Sequence, residues 1–181
     1  MNQEKLKKYA EAIVHIGVNV QKGDKVVLNT DTDNLQLARE IVRACWRAGA
    51  ADVDTIMSDN DMSLGRFEEA DDDVFDHYPE FKVEYAERHM QNKYHRISIS
   101  APRLDLFQNV DPDRLRRSSI AGNKAIEPIM KYMDTGEIKW TVAAGASELW
   151  AASLFPDLPL NKAMDELWDK IFAACRISED G

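Results

Sequence analysis

Apolar residues at helical spacing open the chain. Leu6, Tyr9, Ile13 and Ile16 fall on one stripe and predict a helix over residues 4–16, with Gly17 placed to end it. After the Gly23-Asp24 turn the period changes. Val26, Val27 and Leu28 form an unbroken apolar run, the pattern of a short strand covered on both faces. The run stops at a polar stretch, 29–34, where Asp31 or Asp33 is placed to cap the next helix. That helix carries Leu35, Ala38, Ile41, Val42 and Cys45 on its inner side, and Gly49 supplies the positive φ of a helix end. Residues 53–57 then read as a second strand. Strand, helix and strand in this order form a crossover unit whose strands run parallel.

Downstream the alternation continues with longer helical pieces. An acidic helical region over 63–76 and a helix over 79–91 precede a third strand at 96–101. Asp111-Pro112 has the form of a helix start, an N-cap aspartate followed by proline at the first position. This helix is expected to reach Met133, with a kink or break at Pro128, whose ring lacks an N–H and crowds the preceding turn. A fourth strand at 140–144 leads into helical stretches at 147–154 and 159–174 and a polar end at 178–181. The alternation predicts a single α/β domain over 1–181: three layers, with a mainly parallel sheet of about four or more strands flanked by helices.

Composition sets limits on function. Hydrophobic residues make up 44% of the 181 and charged residues 30%, an ordinary balance for a folded soluble domain. The formal charge of −9 argues against nucleic acid as a partner, because phosphate binding needs clustered Lys and Arg. The densest basic stretch, Arg114, Arg116 and Arg117, reads as the solvated face of a helix. No apolar run suggests a membrane span, and residues 1–8 lack the apolar centre of a signal peptide. Cys45 and Cys175 both lie on apolar helix faces and are expected as buried free thiols in a reducing, cytoplasmic setting, with a disulfide as the alternative.

Candidate chemistry is sparse. His15, His77, His89 and His95 stand at no helical pair spacing and in no H-E-x-x-H frame, so no catalytic metal centre is visible. His77 and His89 could meet across the acidic helices, joined by Glu68, Glu69 or Asp72, but solvated surface histidines are the simpler reading. Asp31, Asp33, Asp59 and Asp61 lie near the expected carboxyl ends of the first two strands, the edge where ligands enter open parallel sheets. Neither stretch keeps calcium-loop spacing, and helix capping and turn formation account for these aspartates. No glycine-rich phosphate loop follows the first strand, and Asp31 and Asp33 would repel a phosphate there. Gly145-Ala146-Ser147 superficially resembles a nucleophile elbow, but Leu149 stands where the second glycine is required, so Ser147 reads as an N-cap. Cys45, on an inner helix face with no His nearby in sequence, is a poor nucleophile. Trp140, Trp150 and Trp168 read as core or interface anchors, with a docking surface as the sharper alternative.

Several short motifs recur in a telling order. Leu6-x-x-Tyr9-Ala10 is followed by His15-Ile16-Gly17-Val18-Asn19-Val20-Gln21-Lys22-Gly23-Asp24, Ala38-Arg39, Ala48-Gly49-Ala50-Ala51-Asp52-Val53, Ser58-Asp59 and Tyr78-Pro79-Glu80. Asp111-Pro112-Asp113-Arg114, Trp140-Thr141-Val142-Ala143, Trp150-Ala151 and Phe155-Pro156-Asp157-Leu158-Pro159 complete the set. Taken together, over nearly all 181 residues, the chain resembles the aminopeptidase T / PepS / AmpS-type metallopeptidases. It departs from them at Gly145-Ala146-Ser147, where they usually carry Pro followed by Thr or Ser, and at Gly65, which interrupts the segment before Arg66.

The resemblance implies an exopeptidase that removes N-terminal amino acids from peptides. It implies two divalent metals, cobalt or zinc, held by Glu, His and Asp of a C-terminal domain, in a homodimer. This chain is then expected to be the N-terminal, non-catalytic domain, without a cofactor of its own and partnered by its own C-terminal catalytic domain. No catalytic, cofactor-binding or metal-binding role can be carried onto a residue here. The three tryptophans near the C-terminal end are the surface expected to touch the catalytic domain. Two alternatives stay open: a free-standing α/β ligand-binding module using the carboxyl edge of the sheet near 31–34 and 58–61, and an assembly element with no ligand.

Overall fold

A computed structural model describes residues 2–102, 106–134 and 136–178; residues 179–181 of the polar end lie outside the described residues. Four strands, β1 (Lys25–Asp31), β2 (Asp52–Ser58), β3 (Tyr94–Ser100) and β4 (Trp140–Ala144), form one sheet in the order β2-β1-β3-β4. Every neighbouring pair is parallel, as the helix-bearing connections between successive strands require. The helices are α1 (Gln3–Ala12), α2 (Leu35–Arg47), α3 (Asn60–Glu69), α4 (Glu80–Gln91), α5 (Pro112–Asp134), α6 (Glu148–Leu154) and α7 (Leu160–Ala174). The predicted three-layer α/β arrangement is the one observed.

The two faces of the sheet are unequal. Val26, Leu28, Ile97, Ile99 and Ala143 point into a large core shared with Leu6 and Tyr9 of α1, Ile41 and Cys45 of α2, Ala151 of α6, and Leu167 and Phe172 of α7. The opposite face carries Val27 in register with Asp54 and Arg96, and Asn29 in register with Ile56 and Ser98. With so many polar positions there, α4 and α5 bury only a small second cluster around Met90, Ile129 and Ile138.

Three expectations from the sequence need correction. The first helix does not stay α-helical to Ile16: it passes into a π-helical turn, Ile13–Gly17, closed by the Val18 N–H on the Ile13 carbonyl at 3.1 Å. The wider turn advances less per residue, so Val14 turns inward at 0% exposure while Ile16 is left 81% exposed. The acidic region over 63–76 is two pieces, α3 and a 3₁₀ segment at Asp72–Asp76. And α5 runs on through Pro128 without a break. Burial of Ile129, one residue later, holds the far end of that helix in place and offsets the lost backbone bond.

Candidate functional site

The order of the sheet reverses between β1 and β3, and the carboxyl edge at that point is where an open parallel sheet takes a ligand. Here the protein fills the position with its own groups. Asn34 is 1% exposed, and its Oδ1 accepts the Ala146 N–H at 2.9 Å. Its Nδ2 donates to Asp31 Oδ1 at 2.8 Å, and the same carboxylate oxygen accepts the Asn34 backbone N–H at 3.1 Å. A Cβ on Gly145 would lie 2.3 Å from Asn34 Oδ1, so only glycine lets the β4 turn pass this amide. Asp59 caps α3 through the Met62 N–H at 2.8 Å and accepts the Thr32 hydroxyl at 2.7 Å, tying the ends of β1 and β2 together. Ser147, fully buried, caps α6 by accepting the Trp150 N–H at 3.3 Å and donates to the Pro102 carbonyl at 2.8 Å. The capping roles read from the sequence for Asp31, Asp59 and Ser147 hold, and the serine hydroxyl is engaged on both sides.

Two of the four histidines, His89 and His95, are buried; His77 is exposed, as the surface reading has it. His89 is 7% exposed, with Nε2 2.8 Å from Asp54 Oδ2, and its ring lies edge-on to Tyr85 and Tyr94 at 4.5 and 4.8 Å. Tyr85 donates to Asp54 and Tyr94 to Asp52. Burial acts to raise the Asp54 pKa, yet the bonds from Tyr85, His89 and the Thr55 N–H win and hold it below the usual carboxylate range. The two phenols are pushed up to about 12, first of all by these bonds to carboxylates. His89 therefore fastens α4 to the edge strand β2 instead of meeting His77. The signal in the sequence was Asp52 and Asp54, two residues apart in a strand and so on one face. His95, also 7% exposed, accepts the Lys139 backbone N–H at Nδ1 (3.2 Å) and faces Asp24 through Nε2 (3.2 Å). Burial, then the charge of Lys139, lowers its pKa. His15 stays exposed beside Glu11.

His77, Arg66, Lys82 and Tyr78 line an open cavity of about 600 Å³ between α3, the 3₁₀ segment, α4 and α5. Glu68, Glu69 and Asp72 do not join it. Among the described residues no three or more His, Cys, Asp or Glu side chains converge to hold a metal, so the two metals implied by the resemblance find no ligand set there. Cys45 is buried, and burial pushes its thiol up to about 12, which leaves little thiolate for nucleophilic chemistry. Cys175 is a free thiol too, but exposed, contrary to expectation, because it caps the end of α7. The basic stretch is neutralised: Arg114 pairs with Asp72 at 2.8 Å, Arg116 with Asp113 at 2.7 Å and Arg117 with Asp76 at 2.6 Å. The tryptophans separate. Trp168 is core, stacked on Phe172 at 5.5 Å, and Trp150 packs partly buried against the same core. Of these three, Trp140 is the open one, 55% exposed on the edge strand β4 beside Val142 at 60%.

Comparison with known proteins decides the family. The model of the thermophilic metalloprotease family (M29) matches residues 2–181. The chain belongs to this family. It is 34% identical over 177 residues to aminopeptidase AmpS of Bacillus subtilis and 33% identical over 178 residues to aminopeptidase PepS of Streptococcus thermophilus. Each match covers 98% of this chain and 43% of the relative. The structure of wild-type AmpT from Thermus thermophilus superposes with a TM-score of 0.88 at 25% identity, covering 94% of this chain and 43% of that one. The M29 chain described here thus spans less than half the length of the curated relatives it matches. Among its described residues no helix is long and apolar enough to cross a membrane.

Proposed function

We propose that this M29 chain is the N-terminal, non-catalytic domain of a cytoplasmic metal-dependent aminopeptidase that releases N-terminal amino acids from peptides. The observation that carries the reading is the match over 98% of the chain to aminopeptidases more than twice its length. The switch point of the sheet, which an independent ligand-binding module would use, is taken up by Asn34, Asp31 and Ser147. The two divalent metals, cobalt or zinc, would belong to a C-terminal catalytic domain, where such ions activate water and polarise the scissile carbonyl. That domain and a second copy of the enzyme are the proposed partners. Trp140 and Val142, exposed on an edge strand, are the groups of this chain best suited to meet the catalytic domain.

The test joins this chain to the remaining polypeptide of the Bacillus subtilis relative and follows hydrolysis of a leucyl chromogenic substrate with added cobalt or zinc. Turnover by the joined protein, with neither turnover nor stoichiometric metal in the 181 residues by themselves, is the expected outcome. Metal-dependent turnover by the 181 residues would overturn it.

A further inference from the structure

The cavity of about 600 Å³ lined by His77 lies within the size range of small-ligand sites, and its charge runs against that of the chain. In a sequence of net charge −9, it gathers Arg66 and Lys82. Among the described residues neither has a carboxylate partner, whereas the nearby Arg114 and Arg117 are each held by an aspartate. Asp73, the carboxylate on the rim, is paired with neither.

Arg66 is held in place rather than free to wander. Its guanidinium lies 4.9 Å over the Phe75 ring and 5.6 Å from that of Phe67, two rings stacked at 5.3 Å. It donates to the Ser118 hydroxyl at 3.3 Å and to the Val74 carbonyl at 3.1 Å. A guanidinium has five N–H donors in a planar fork, so donors remain for a planar anion. Phe67, Tyr78 and Pro79 add apolar lining beside it. On the facing wall, Ser118 and Gly122 stand one turn apart on α5 and leave the space open, although glycine inside a helix costs about 1 kcal/mol relative to alanine.

We propose that this cavity binds the carboxylate end of a peptide, with Arg66 and Lys82 on the carboxylate and Phe67, Tyr78 and Pro79 against the adjoining apolar side chain. The choice of a peptide rests on the aminopeptidase reading above. A carboxylate is favoured over a phosphate because the cations flank apolar and aromatic groups instead of a nest of backbone N–H donors.

The test is an NMR titration of the chain with N-acetylphenylalanine, N-acetylphenylalaninamide and inorganic phosphate. The acid is expected to bind at least about tenfold more tightly than the amide, the loss of one charge-assisted contact. Gly122→Leu places its side chain in the cavity from a helical position where a Cβ has ordinary contact with Tyr78 at 3.8 Å, and binding should be lost while the NMR spectrum outside the cavity keeps the native dispersion. Lys82→Gln, at an exposed position, should weaken the acid and leave the amide unchanged. Equal affinity for acid and amide, tighter binding of phosphate, or unaltered binding in Gly122→Leu would each overturn the proposal. Because the readout is binding without turnover, such a failure leaves the peptidase reading to its own test.

Discussion

At the residue scale, the departure at Gly145 has a physical cause across the fold in Asn34. The two are far apart in sequence, yet the amide of one occupies the space a side chain on the other would need. Gly145→Ala must displace that amide and break its bonds to Ala146 and Asp31. The expected loss is about 2–4 kcal/mol in urea unfolding, and adding Asn34→Ala should cost less than the sum of the two changes. His95 offers a pH test. The folded protein holds it below its free value of about 6.5, so the unfolded chain takes up the proton first. Stability is full above about pH 6.5 and is lost as the pH falls through the folded-state value. The urea midpoint should drop as the pH falls below about 6.5 in the native chain, and His95→Gln should remove that drop. Asp24, which faces His95 and Lys139 and is also lowered, acts in the same direction only below about pH 4. Sequence could show the caps, because capping is local: Asp31, Asp59 and Ser147 stand within three residues of the N–H they satisfy. The His89–Asp54 contact, 35 positions apart, left only the Asp52/Asp54 alternation as a trace.

At the element scale, the strands and helices follow the hydrophobic periods closely, and the misreadings sit where a helix departs from 3.6 residues per turn. The Leu6, Tyr9, Ile13 stripe is right, but the π-helical turn exchanges Ile16 for Val14. Val14→Ala should therefore cost about 2 kcal/mol, and Ile16→Ser should stay within about 0.5 kcal/mol of the native chain. Thermal or urea unfolding that ranked them the other way would mean the helix keeps its α register to Gly17. Pro128 makes the complementary point. Propensity alone asks for a break there, and packing of Ile129 against Met90 and Ile138 overrides it.

At the scale of the whole molecule, the unequal faces of the sheet set what the chain has left to offer. One face is sealed by α1, α2, α6 and α7; the other ends at β4 with Trp140 and Val142 uncovered. Trp140→Ser should change the stability of this chain by less than about 1 kcal/mol. In the protein joined to a relative's remaining polypeptide, it should speed proteolytic separation of the two parts; an unchanged rate would remove Trp140 from that contact. The sequence by itself determined the α/β class, the parallel strands, the helix caps and, through motif order, the family. Those depend on periodicity and short spacings, which the chain carries locally. Tertiary structure decided that Trp140 is open while Trp150 and Trp168 pack on the core, which histidines are buried, that Asn34 fills the switch point, and that Arg66 and Lys82 share a cavity. Each of these is a meeting of distant segments, settled only when the elements pack.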